Sequence, residues 1–73
     1  MRTKYGVTWC NAIGKDQHAR FSDRSTALRF ARAESNGPQT TYVEVRDNTG
    51  LIAQFSRGKA TPEFAHLDAN LDA

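Results

Sequence analysis

Residues 40–55, TTYVEVRDNTGLIAQF, decide the fold. Two runs of alternating apolar and polar residues flank Asp47-Asn48-Thr49-Gly50, the pattern of a β-hairpin. In the first run Thr41, Val43 and Val45 share one face, and Tyr42, Glu44 and Arg46 the other. In the second, Leu51, Ala53 and Phe55 alternate with Ile52, Gln54 and Ser56. The DNTG stretch suits a type I turn closed by Gly50 in the left-handed region. A lone hairpin is marginal in water, so its apolar face needs further strands and a cover.

Both lie upstream. Residues 4–11, KYGVTWCN, set Tyr5, Val7 and Trp9 against Lys4, Gly6, Thr8 and Cys10. After the glycine-containing stretch AIGKD, QHARFS resumes the alternation with Ala19 and Phe21 inward. A first hairpin follows from this, with Ile13 in its turn. Residues 22–38, SDRSTALRFARAESNGP, then read as a helix. Ser22 or Asp23 supplies the N-cap, and Asn36-Gly37-Pro38 the stop, with Gly or Asn in a left-handed cap. At 3.6 residues per turn Ala27, Leu28, Phe30 and Ala31 share one side, with Ser25, Arg29, Arg32 and Asn36 roughly opposite.

The expected fold is therefore α+β: a four-stranded antiparallel sheet in β-β-α-β-β order, packed on one helix. Its expected core holds Val7, Trp9, Phe21, Leu28, Ala31, Val43, Val45, Leu51 and Phe55. Residues 1–59 form this domain, and residues 60–73 an acidic C-terminal segment. In that segment Thr61 is a candidate N-cap, Pro62 a first helical residue, and Phe64, Leu67 and Leu71 one side of a short helix with a loose end.

Seventy-three residues make one domain, burying only about 60% of its unfolded surface. Hydrophobic residues at 38% and charged residues at 25% fit a globular chain. No apolar run is long enough for a membrane span, and residues 1–6 lack the apolar region of a secretory signal. The single cysteine, Cys10, cannot form an internal disulfide, which fits a reducing cytoplasm. Charge is unevenly placed: residues 1–59 carry all ten Lys and Arg and five acids, a net +5. Residues 60–73 add three acids and no Lys or Arg. A basic body with an acidic tail can meet an anionic partner or fold the tail back onto itself, and ordinary surfaces also scatter charge this way by chance.

A catalytic reading finds little. His18, His66, Asp16, Asp68 and Cys10 are the available acid, base and nucleophile candidates, yet no nucleophile elbow, phosphate loop, dinucleotide fingerprint or HExxH motif orders them. No CxxC or HxxxH pair marks a zinc site. A non-enzyme without metal or cofactor is expected. Nucleic-acid binding has the basic outer sheet face in its favour: Lys4, Thr8, His18, Arg20, Tyr42, Glu44, Arg46 and Gln54 set cations beside an aromatic. Glu44 in the middle of that face opposes it. A plain solvated face with ion pairs such as Glu44 with a neighbouring Arg also accounts for the pattern, as exposure does for Arg24, Arg29 and Arg32. Protein binding draws on the open sheet edges, where a partner or a second copy adds a strand, and on Tyr42, Ile52 and Arg46 as a compact patch.

The order VTW, RFSDRSTALRFAR and TYVEVRDNTGLIAQF resembles short phage and mobile-element proteins of unknown function. In these a β-hairpin precedes a helix of the form S/T-x-x-E-A-x-x-x-A and a hairpin with D-x-x-G. Thr26 stands here where that helix often carries an acid. The resemblance covers residues 4–57 and rests on core, cap and turn positions. By size and fold it implies an inhibitor of host machinery of the anti-CRISPR type, acting by protein–protein contact in the cytoplasm. The expected anchors are Arg20, Arg29, Arg32, Tyr42 and Arg46, with nucleic-acid binding as the alternative.

Overall fold

The computed structural model describes residues 4–10, 14–37, 40 and 42–72. Strand β1 (Tyr5–Cys10) and β2 (Asp16–Phe21) lead into helix α1 (Arg24–Ser35), followed by β3 (Val43–Asp47), β4 (Gly50–Ser56) and β5 (Lys59–Ala60). A 3₁₀ turn (Pro62–Phe64) and the short helix α2 (His66–Asp72) complete the order. The strands form one antiparallel sheet in the order β2-β1-β3-β4-β5, with both helices on one side. The expectations on Ile13, Pro38 and Thr41 fall outside the described residues.

The fold is α+β as expected, but the sheet has five strands rather than four. The fifth arises because Arg57 and Gly58 both take positive φ (54° and 79°), which closes a two-residue hairpin and pairs Ser56 with Lys59. A two-residue strand shows no periodicity, and an arginine at positive φ is not a recognisable turn residue. Gly58 is needed for more than its φ. A Cβ there would lie 3.1 Å from Asn36 Cγ and Oδ1, so the turn sits directly against the end of α1.

Helix α1 begins where Asp23 accepts hydrogen bonds from Thr26 N–H and Thr26 Oγ1, both at 2.8 Å. Its end corrects the expected left-handed cap. Asn36 stays right-handed (φ −84°), and the N–H groups of Asn36 and Gly37 donate to Ala33 and Glu34 carbonyls in a tightened last turn. Ala27, Leu28 and Ala31 are buried against Val7, Val43, Val45, Ala53 and Phe55. Phe30 is half-buried, with its ring centroid 5.5 Å from Trp9 and 5.1 Å from Phe21.

Leu51 does not join this core. A bulge shifts the β3–β4 register between Val45, opposite Ala53, and Arg46, opposite Leu51. One extra residue, Ile52, is accommodated, and the side-chain alternation slips by one. Leu51 is therefore exposed beside Arg46, and Ile52 turns inward to pack on the core. The outer patch of Tyr42, Ile52 and Arg46 loses Ile52 and gains Leu51.

The C-terminal segment folds back. Leu67 and Leu71 are buried in the same core as the strands. Asp68 accepts the Ala60 N–H on both carboxylate oxygens (3.1 and 3.0 Å) and lies 3.7 Å from Arg32 Nη1. Thr61 does not cap with its side chain: its N–H donates to the Gln54 carbonyl at 2.8 Å, and its buried hydroxyl has no partner.

Candidate binding surface

The face of the sheet away from the helices is open, and its layout follows from register. Because Val7, Val43, Val45, Ala53 and Phe55 point at α1, the intervening residues point outward. One row across the strands reads Arg20, Gly6, Arg46, Leu51. The next reads His18, Thr8, Glu44, Gln54. Beyond these, Cys10 pairs with Asp16, and Tyr42 stands one residue ahead of β3.

Down β1, which lies between β2 and β3, the outward residues are Gly6, Thr8 and Cys10, all small. Their neighbours on β2 and β3 are large, so the face is a trough with β1 as its floor. The flanking backbones are two strand spacings apart, about 9–10 Å. At the Cys10 end the trough deepens into a hollow of about 530 Å³, lined by Thr8, Cys10, Asp16, His18, Tyr42 and Glu44 with Trp9 and Gln17. At the Gly6 end the floor has no side chain, and a Cβ built there meets nothing within 4 Å. Arg20 and Arg46 flank that space, and the exposed Lys4 lies just beyond it.

Charge thus grades along the trough from cationic at Gly6 to acidic at Asp16. Arg46 Nη2 lies 3.3 Å from Glu44 Oε2, an ion pair along the strand rather than across it. An exposed pair of this kind contributes about 0–1 kcal/mol, so Arg46 can leave it for a ligand at little cost. Among the described residues the exposed large hydrophobic side chains are Tyr42 (47%) and Leu51 (37%), and both lie on this face. They stand at opposite ends of it, Tyr42 before Val43 and Leu51 beside Arg46.

Of the five expected anchors the structure brings Arg20, Tyr42 and Arg46 together here. Arg29 and Arg32 sit on α1, on the other side of the sheet. Arg29 is exposed there, while Arg32 is half-buried and drawn to Asp68. His66 also lies in the helix layer, apart from Cys10 and His18, and among the described residues no three His, Cys, Asp or Glu gather as a metal site. No described helix is long and apolar enough to cross a membrane. Sequence reasoning missed the trough. Its signal was present in the small outward residues of GVTWC, but only the strand order sets β1 between β2 and β3.

No protein-family model matches this chain, and no match was found among curated proteins or solved structures.

Proposed function

We propose that this is a non-catalytic binding protein that takes an extended, acid-bearing segment of a partner protein into the trough over β1. The observation that carries this reading is the small-residue floor of Gly6, Thr8 and Cys10 between the Arg20 and Arg46 pair at one end and Tyr42 at the other. A carboxylate seated over Gly6 meets two guanidinium groups. Tyr42 then offers an amphipathic ring, and the hollow beside it accepts one side chain of the segment. Glu44 and Asp16 within the same face favour a protein over a nucleic-acid backbone, because a run of phosphates would have to pass both carboxylates. Occupying a partner's surface in this way is sufficient for an inhibitor of host machinery, the role implied by the resemblance.

The test is capture of partners from bacterial lysate with and without nuclease, followed by affinity measurements on the partner obtained. Gly6→Val fills the floor in open space, so binding is lost while the thermal melt is retained. Tyr42→Ala weakens binding by about 2 kcal/mol or more, as an interface anchor does, and exceeds Arg20→Ala or Arg46→Ala. A nuclease-sensitive complex whose affinity falls about 10³-fold or more between 50 and 200 mM salt would replace this reading with nucleic-acid binding.

A further inference from the structure

The two edges of the sheet differ. At β5 the outward Ala60 N–H is taken by Asp68, and α2 lies alongside. At β2 the direction of the peptide groups can be followed from strand to strand. Thr61 N–H donates to Gln54, so Gln54 turns its peptide groups toward β5, and Ala53 and Phe55 turn theirs toward β3. Direction alternates by residue in an antiparallel ladder. Glu44 and Arg46 accordingly bond to β1, Val7 and Trp9 to β2, and Gln17 and Ala19 back to β1. The peptide groups of Asp16, His18 and Arg20 are left pointing off the edge, and the side chains of these three residues are exposed on the outer face.

We propose that β2 pairs antiparallel with β2 of a second copy, centred on His18, so that Asp16 of each chain faces Arg20 of the other. The two sheets then run on as one. All three residue pairs at this register have peptide groups aimed at each other, and two of the three join opposite charges. A shift of two residues one way sets Arg20 against His18 and Asp16 against Ser22. The opposite shift leaves Arg20 against Gly14. A charged edge strand ordinarily discourages pairing, but this one complements itself. A two-fold axis through the His18 pair keeps both helix layers on the same side of the joined sheet. There Trp9, Phe21 and Phe30 lie half-buried beside the edge, and Gln17 and Ala19 of the second copy extend the surface next to them. The joint draws on Arg20 but leaves Gly6, Arg46 and Tyr42 of each trough open, so it stands or falls apart from the trough reading.

The test is sedimentation equilibrium of the full chain at pH 7.5 over about 10 μM to 1 mM. A reversible dimer is expected. Asp16→Arg and Arg20→Asp each weaken it about tenfold or more by opposing like charges, and the double reversal D16R/R20D restores it to within a few-fold. His18→Pro removes the central outward N–H, at an edge position where proline is tolerated, and gives a folded monomer. Gly6→Val and Tyr42→Ala leave the dimer unchanged. A monomer up to 1 mM would overturn the proposal. So would a dimer indifferent to His18→Pro, or a double reversal no tighter than the single variants.

Discussion

Asp23 and Asp47 do the same work in two places. Asp23 starts α1 through Thr26, and Asp47 shapes the β3–β4 turn by accepting Thr49 N–H at 2.8 Å and Thr49 Oγ1 at 2.6 Å. The Thr26 N–H is the chief reason the Asp23 carboxyl is held below its ordinary 3.8, and the Thr49 hydroxyl the chief reason for Asp47. A carboxyl with a lowered folded pKa stabilises the fold at pH above its unfolded value. That contribution is lost as pH falls through the lower folded value, because the unfolded chain takes up the proton first. The melting temperature of the wild type should therefore fall as pH drops below about 4. The Asp23→Asn/Asp47→Asn double variant, which keeps a good capping side chain, should show a shallower fall in calorimetric melts between about pH 5 and pH 2. Both aspartates were legible as cap and turn residues because their partners are two or three positions away. Ser35 was not. Its hydroxyl donates to the Arg32 carbonyl at 2.7 Å and accepts the Gly58 N–H at 3.0 Å, and that second partner is 23 residues distant. Nothing local in ARAESNG separates a buried serine from an exposed one.

Among the elements, β4 shows how one inserted residue overrides a clean pattern. The run GLIAQFS alternates on paper with Leu51 inward, and Ala53 and Phe55 do point inward. The bulge at Val45/Arg46 reverses the face only for the residues nearest the turn. Leu51→Thr should then change stability by no more than about 0.5 kcal/mol, while Ile52→Ala should cost about 1 kcal/mol or more through lost apolar burial. Urea denaturation followed by Trp9 fluorescence compares the two, and the opposite ranking would mean that β4 pairs without its bulge. The same bulge puts Leu51 beside Arg46 on the trough face, so the element that departs from its pattern is also the one that enlarges the candidate interface.

At the scale of the whole molecule, α2 closes the core rather than trailing from it. Leu67 is 2% exposed and packs in one cluster with Val7, Ala31 and Phe55. Leu67→Ala should cost about 2–5 kcal/mol, in the range of Phe55→Ala at about 3–5. Fluorescence and circular dichroism should report one shared unfolding transition for both variants. Unchanged unfolding of the Leu67 variant would show α2 to be a mere appendage. The acidic segment's charge is partly spent inside the molecule, since Asp68 serves Ala60 and Arg32. What the chain alone determined was everything written in local period and turn chemistry: the two hairpins, the start of α1, its Ala-rich buried side and the α+β class. These depend on contacts within a few residues. Tertiary structure alone decided the strand order that lays β1 between two walls, the bulge that turns Leu51 out, and the clamp of Asp68 on the β5 edge. It also decided which of the arginines share a face. Each of these joins residues far apart in the chain, where position in space is set by packing and register and leaves no periodic trace in the sequence.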